Sequence, residues 1–318
     1  MTVAPYKPLL HRYAFSTGCM AMVTLVFGAL TTSKNAGMAF RDWPNSDGYL
    51  MVTYPWFRDF ASNWDKFLEH GHRLAGMLIG LWSIGLVVLI HRGESRRWVV
   101  GLAYAVLGCV IVQGLLGGFR VVLDERGLAM VHGFFAACVL SLMATVSTVE
   151  SRGWLDSESY ARGPATGHLK PWAVLTVVAI AGQFLLGGMI RHHGSGLHEH
   201  LGMGILTWGL ILANTFVSQR SGVRWIRRSG WMLLAVASLQ VVLGAGAWVL
   251  KWGFPWTGYV ATADSIAQVL HRTAHAVVGM QTLAAAAVHL VRVFRVSACC
   301  PQPVWNPPAF LPSPGGTR

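Results

Sequence analysis

Four histidines near the starts of four long apolar segments are the residues of this chain best suited to chemistry. They are His72, His132, His200 and His271. Glu69 and Arg73 flank His72, and Arg272 directly follows His271. An ionisable side chain is costly in lipid, so each is a functional-site hypothesis by default. Four at one depth indicate two pairs of metal ligands.

The composition places these segments in a membrane. Only 12% of the 318 residues are charged, 53% are hydrophobic, and the mean hydropathy is +0.48, whereas soluble domains usually carry about 25% charged residues. We therefore predict an all-α polytopic membrane protein with eight transmembrane helices. The apolar runs long enough to span a bilayer are 13–33, 68–90, 98–119, 128–149, 172–190, 197–217, 230–250 and 266–293.

The net charge of +12 is distributed as a topology signal. Basic residues concentrate in alternate connections, at 92–97, 152–170 and 220–228, and near both ends of the chain. This positive-inside pattern predicts cytoplasmic termini. It also places the four histidines, each at the start of an even-numbered helix, toward the outer face. We expect the basic residues to contact lipid headgroups and not nucleic acid.

A basic loop at 150–170 divides the chain into two pseudo-symmetric halves. We predict a four-helix half over 1–150, a second four-helix half over 151–298, and a disordered, proline-rich cytoplasmic tail over 299–318. The long aromatic outer loop at 34–66 is expected to cover a site in the first half. An aromatic belt at the membrane interface is the alternative.

A weak internal repeat supports this division. Three odd-numbered helices end in a Gln-x-x-x-Gly motif and the first helix carries a fainter glycine copy. The motifs are Gln113 with Gly117, Gln183 with Gly187, and Gln240 with Gly244, and the fainter copy is Gly28. Glycine permits close helix packing in membranes. A flat macrocycle held between helices needs small residues as well, so the two interpretations are compatible.

Two opposed histidines on two helices are typical of haem iron. A structural zinc site would need about four ligands, commonly including thiolates, and no cysteine lies near these histidines. We therefore predict two haems. His72 and His132 would hold one between the second and fourth helices, and His200 and His271 the other between the sixth and eighth.

Several neighbouring residues have more than one interpretation. Arg73 and Arg272 are candidates for binding haem propionates, with snorkelling to the interface as the alternative. His198 and His275 are alternative ligands in the second half, since each lies within four residues of a preferred one. His70 is expected in a loop or at the surface.

Glu69 lies three residues before His72, on the same helix face. A carboxylate there can be a partner of the ligand, a proton acceptor or a nucleophile, or an acid stabilised by the helix dipole. Gln268 stands in the corresponding place before His271. The contrast predicts one reactive haem site and one electron-transfer site.

The sequence resembles the haem A synthase family. The resemblance covers 13–293, and the most specific motif is Glu69-x-x-His72-Arg73. The other matching segments are His132-Gly-Phe-Phe-Ala136, Gln268-x-x-His271-Arg272, Gly28-Ala-Leu-Thr, Ala36-Gly37-Met38 and Asp42-Trp43-Pro44.

The resemblance implies an eight-helix protein of the cell inner (plasma) membrane that oxidises the C8 methyl of haem O to a formyl group, by successive hydroxylation. It implies that His72 and His132 hold the substrate haem O or product haem A, that Glu69 is the catalytic carboxylate, and that His200 and His271 ligate haem b. A haem O synthase (farnesyltransferase) and an electron acceptor are the implied partners. The oligomeric state, including a homo-oligomer, stays open.

Two departures from the family pattern are visible. Many members carry a cysteine pair in the first outer loop, and this chain has none there. The His-Arg pair of the second half also lies on the eighth helix, where we would expect the sixth. The main alternative function is a di-haem b-type membrane cytochrome passing electrons from quinol. That carrier would need neither Glu69 nor the long loop. A proton-coupled transporter is less favoured, because the histidines do not form a chain across the membrane.

Overall fold

The computed structural model describes residues 5–155, 160 and 166–299. Within these residues, eight helices are long and apolar enough to cross a membrane, which confirms the all-α polytopic fold. They are α1 (Pro8–Ser33), α2 (Trp64–Gly93), α3 (Arg97–Leu123), α4 (Arg126–Val149), α5 (Leu169–His193), α6 (Leu197–Gln219), α7 (Arg224–Trp252) and α8 (Ile266–Cys299). Of the predicted tail, only Cys299 is among the described residues, where it ends α8.

Local chemistry sets the helix ends. The Asn63 side chain accepts a hydrogen bond from the backbone of Lys66, and this N-cap begins α2. Glu125 caps α4 in the same way through the backbone N–H of Gly127. The helix α5 ends at Gly194, whose φ of 69° lies in the left-handed region that glycine adopts without strain.

The helices pack as two closed sets of four. Each helix contacts the next within α1–α4 and within α5–α8, and the first and fourth members of each set also touch. The two sets meet through α8, which packs on α1 and α4, and through α4 against α5. A core of large buried side chains, including Leu86, Met143 and Leu233, fills the space between the helices. This packing fixes the positions of the histidines on α2, α4, α6 and α8.

The outer loop between α1 and α2 is folded against the first set of helices. It contains a short helix, Trp56–Ser62, and it buries Phe40 completely and most of Tyr54. The ring of Trp43 lies directly on Gly118 of α3. The loop therefore forms an ordered cover over the start of α2 and the end of α3.

Candidate functional site

The imidazoles of His72 on α2 and His132 on α4 face each other. Their ring centroids are 6.2 Å apart and their planes are inclined by 87°. Nδ1 of His72 lies 3.0 Å from the carbonyl oxygen of Thr24. Because a carbonyl oxygen only accepts, Nδ1 carries the hydrogen and Nε2 keeps a lone pair for a ligand.

A second pair has nearly the same geometry, and it joins His200 on α6 to His275 on α8. The centroids are again 6.2 Å apart, with an interplanar angle of 83°. Nδ1 of His275 donates to the backbone oxygen of Gln240 at 3.2 Å. His198, the alternative on α6, is exposed.

The structure does not bring His271 together with His200. Nδ1 of His271 bonds instead to the oxygen of Ala267, one turn earlier in the same helix, at 3.0 Å. His271 and His275 are four residues apart and share a helix face, so only their depth along α8 separates them. The expected pair of His200 with His271 is therefore replaced by His200 with His275.

Each of the four paired histidines lies against a glycine of the preceding helix. A Cβ added to that glycine would fall 2.7–3.1 Å from Cε1 of the ring, closer than side chains normally approach. The contacts are Gly28 with His72, Gly117 with His132, Gly187 with His200, and Gly244 with His275. His271 instead lies against Gly246, which is outside this register. The glycines of the sequence repeat therefore contact the imidazole rings directly.

These pairs fit a ligand that takes one nitrogen from each side. Among the described residues there is no group of three or more His, Cys, Asp or Glu side chains able to hold a metal ion, as a structural zinc site would need. A centroid separation of 6.2 Å leaves space for one metal ion bound at about 2 Å from each ring. Two axial histidines on facing helices match haem iron.

Glu69 is buried, and both of its carboxylate oxygens have partners. Oε2 accepts from the backbone N–H groups of Ala39 at 2.7 Å and Phe40 at 3.3 Å. Oε1 accepts from Arg73 at 2.8 Å in an ion pair whose two side chains are 5% and 7% exposed. Glu69 therefore joins the outer loop to the helix that carries His72.

Arg73 is also used by the outer loop. Nη1 donates to the backbone oxygens of Asp42 at 2.9 Å and Asn45 at 2.6 Å, and the guanidinium lies 5.0 Å from the centre of the Phe40 ring. The sequence suggested haem propionates as the partner of this arginine. In the structure its donors are directed to loop carbonyls and to Glu69.

Two further groups fix the same loop. His70, expected at the surface, is completely buried, and its Nδ1 lies 3.0 Å from Oγ of Ser46. Burial alone would raise the pKa of Asp42, but hydrogen bonds from the backbone of Gly48 and Asp47 hold it below the ordinary value. Asp42 therefore stays ionised and organises a turn of the loop.

In the second half, Gln268 has a similar anchoring role. Its Oε1 accepts from the backbone of Asp264 at 2.9 Å, and its Nε2 donates to the oxygen of Leu250 at 3.0 Å. With His275 as the paired residue, the position three before the histidine is Arg272, not Gln268. The residue three positions before the paired histidine is therefore acidic in the first half, Glu69, and basic in the second, Arg272.

The family model that describes cytochrome oxidase assembly proteins, COX15-CtaA, matches residues 11–199. The chain belongs to this family. The match of the COX15-CtaA family includes Glu69, His72 and His132, and it ends just before His200.

Curated relatives are named haem A synthase. The protein of Methylobacterium radiotolerans is 27% identical over 177 residues, which are 52% of this chain and 46% of the relative. That of Symbiobacterium thermophilum is 26% identical over 198 residues, 59% of this chain and 61% of the relative. That of Brucella anthropi is 24% identical over 148 residues, 43% and 40% respectively. The chain spans about half the length of the curated relatives it matches.

This COX15-CtaA family member also carries arginines near the end of α3, the end of α5 and the start of α8 that form no ion pair among the described residues. The ion pairs found within the described part of the chain do not include Arg120, Arg191 or Arg272. Nη2 of Arg120 donates to the oxygen of Gly37 at 2.6 Å, and Nη2 of Arg191 donates to the oxygen of Ala29 at 2.9 Å. Arg191 and Arg272 are close enough for their positive charges to repel each other. The sequence signal was the arginine that follows each Gly-Gly of the repeat, at 117–120 and 187–191.

Proposed function

We propose that this protein is a haem A synthase, which oxidises the C8 methyl of haem O to a formyl group by successive hydroxylation. The observation that carries the proposal is the presence of two opposed histidine pairs, at equal separations, in a member of the COX15-CtaA family. The helix that carries His72 also carries the buried acid Glu69, which bonds to the folded loop between α1 and α2.

His72 and His132 are proposed to hold haem O or haem A, and His200 and His275 to hold haem b. Haem iron supplies the redox chemistry when bound. Each of the four histidines has a polar neighbour within 3.4 Å of one of its ring nitrogens. The four glycine contacts limit the position of each ring between its two helices.

Glu69 is proposed as the proton acceptor of the reactive half. It lies on the same helix as His72, three residues earlier, and Arg120 is close enough to interact with its charge. A carboxyl group on the helix that carries the ligand can take a proton from the reacting centre.

Propionate binding is proposed for Arg120, Arg191 and Arg272. Their guanidinium groups form no direct ion pair with a carboxylate among the described residues, and guanidinium matches carboxylate in charge and shape. Arg73 takes the separate task of holding the loop. Arg272 thus keeps the role expected from its sequence position.

The membrane orientation is part of the proposal. The protein is proposed to lie in the cell inner (plasma) membrane, and the basic loops support an orientation with both termini in the cytoplasm and both histidine pairs toward the outer face. Haem O would arrive from a haem O synthase, and an electron acceptor would remove the electrons.

Extraction of the pigment from purified protein, followed by chromatography, tests the function. Haem B together with haem O or haem A is the expected result, and added haem O should be converted to haem A. Haem B alone, without conversion, would favour the di-haem cytochrome. A preparation that binds no haem after reconstitution would contradict both. A variant with His132→Ala is the matched control for the reactive site.

A further inference from the structure

A basic cleft lies where α6 ends and α7 begins. Its volume is about 270 Å³, and its lining residues are Gln219, Arg224, Arg227, Arg228 and Trp231. Oε1 of Gln219 accepts from Nε of Arg227 at 3.3 Å, and Nε2 of Gln219 donates to the backbone oxygen of Arg227 at 3.4 Å. These two bonds join the end of α6 to the first turn of α7. His200 lies near the start of α6, so the cleft is at the opposite end of this helix from the second histidine pair.

The positive charge of the cleft is not neutralised by nearby carboxylates. The ion pairs found among the described residues include none of its three arginines, and the sequence from 200 to 263 contains no Asp or Glu. In the connection between α2 and α3, by contrast, Arg96 pairs with Glu94 and Glu150. The cleft therefore favours an anion as its occupant.

The cleft continues into an exposed apolar strip of α7. Arg228 and Trp231 follow Arg224 by four and seven residues, which places all three on one face of the helix. The same face then carries exposed apolar side chains along the membrane-spanning part, at Ala235, Leu239 and Val242. Exposed apolar side chains of a membrane-spanning helix contact the lipid tails, which are as apolar as leucine.

A similar strip lies on α6. Phe216 and Leu212 precede Gln219 by three and seven residues, and both are exposed. Nε1 of Trp208 donates to Oγ of Ser238 at 3.1 Å, which joins the two helices further along their length. The charged cleft is therefore continuous with apolar surface on both helices that form it.

We propose that this cleft binds the phosphate of an anionic phospholipid, whose acyl chains lie along the exposed strips of α6 and α7. Arginine matches phosphate in charge and can bind it through two N–H groups at once. Tryptophan is enriched at the membrane interface, which suits Trp231 between the arginines and the apolar strip. A free phosphate would use the arginines alone, whereas a phospholipid uses the arginines and both strips. The inference depends neither on haem binding nor on the proposed reaction.

The test is a titration of the purified full chain in detergent with dioleoylphosphatidylglycerol, followed by native mass spectrometry. Arg224→Gln with Arg228→Gln is compared with Arg92→Gln with Arg97→Gln, which removes the same charge from the connection between α2 and α3. Arg97 begins α3 as Arg224 begins α7, and neither Arg92 nor Arg97 lines the cleft. We expect the first double variant to bind the lipid at least about tenfold more weakly. The second should bind it as the unchanged protein does.

Equal weakening in the two double variants would overturn the proposal, because it would show a general effect of charge. Equal affinity of the unchanged protein for dioleoylphosphatidylcholine, which has no net charge, would also overturn it. The apolar strips are tested with dihexanoylphosphatidylglycerol, which should bind more weakly than the dioleoyl lipid. Equal affinity for this short-chain lipid or for inorganic phosphate would assign the cleft to a free anion and contradict the lipid.

The single variants Arg224→Gln and Arg228→Gln decide the matter if the first double variant does not fold. Each removes one exposed side chain of the cleft, and each should weaken binding of dioleoylphosphatidylglycerol. Unchanged binding in both would contradict the proposal. The temperature of unfolding without lipid should stay that of the unchanged protein in both single variants, because neither arginine has an ion pair to lose among the described residues.

Discussion

Gly28 of α1 supports the imidazole of His72 so closely that a Cβ at this position would lie 2.7 Å from Cε1 of the ring. Gly28→Ala should therefore displace His72 and weaken binding at the first pair, at a cost of about 1–3 kcal/mol for overpacking. Gly18→Ala on the same helix is the matched control, because nothing lies within 4 Å of its added Cβ. The measurement is haem bound per protein after reconstitution, together with the absorbance spectrum. Equal binding by the two variants would show that the glycine contact does not constrain the ring.

The second pair gives a comparison within one helix. His275→Ala should lose the haem of the second half, because it removes the partner that faces His200 across 6.2 Å. His271→Ala should keep that haem, since the ring of His271 bonds within its own helix. Haem extraction and spectroscopy of both variants distinguish the assignments. Retention by His275→Ala and loss by His271→Ala would restore the ligand expected from the sequence.

The amino-acid pattern was sufficient for the helices. Hydropathy located all eight, and His72, His132 and His200 lie in the first half of α2, α4 and α6, as the apolar runs predicted, while their role as ligands stays a prediction. Periodicity could not separate His271 from His275, since residues four apart share a face. The Gln240-x-x-x-Gly244 register contained the missing information, because it repeats the arrangement seen beside the other histidines.

The partners of charged side chains were harder to predict. Arg73 and Arg120 both stand near helix ends in the sequence, and both donate to carbonyls of the outer loop. Which arginine is neutralised by Glu69 depends on the path of a loop without periodic structure. A pattern of apolar residues predicts helices and their buried faces, but it does not predict how an irregular segment folds back over them.

The variant Glu69→Gln tests whether Glu69 takes part in the proposed reaction or only stabilises the fold of the first half. The amide oxygen can still accept one loop N–H, but the charge that pairs with Arg73 is lost, with a cost of about 3 kcal/mol for leaving a buried cation unpaired. We expect the variant to bind both haems and to form no formyl haem. The measurements are haem content, thermal stability and conversion of added haem O.

Arg73→Gln is the control for Glu69. It removes the same ion pair and leaves the carboxylate in place. If both variants lose conversion and stability to the same extent, Glu69 acts only by holding the loop. A much larger loss of conversion in Glu69→Gln, at similar stability, supports its role as a proton acceptor.

On the opposite side of the membrane, Arg96 joins two carboxyl groups at the ends of α2 and α4. Its Nη2 lies 2.7 Å from Glu94 and 3.0 Å from Glu150. Burial raises the pKa of Glu150 to about 7 against the opposing charge of Arg96. Glu150 thus binds a proton in the folded state over a pH range in which it is ionised when unfolded.

The sign of the pH effect follows from this shift. The contribution of Glu150 to stability is fully present below its unfolded pKa of 4.5 and is lost as the pH rises through about 7. We expect the temperature of unfolding in detergent to fall between about pH 5 and pH 8. Glu150→Gln, which cannot ionise, should flatten this dependence. An unchanged slope in the variant would remove Glu150 as its source.

The order of the paired helices along the chain has a consequence for biosynthesis. His72 and His132 lie on α2 and α4, whereas His275 lies on α8, the last of the eight helices. Polypeptides are made from the N-terminus, and their parts fold in that order. The first pair is therefore complete while half of the helices are still to be translated, and the second pair forms only after α8 has inserted. The two proposed haems can accordingly be bound at different times during synthesis.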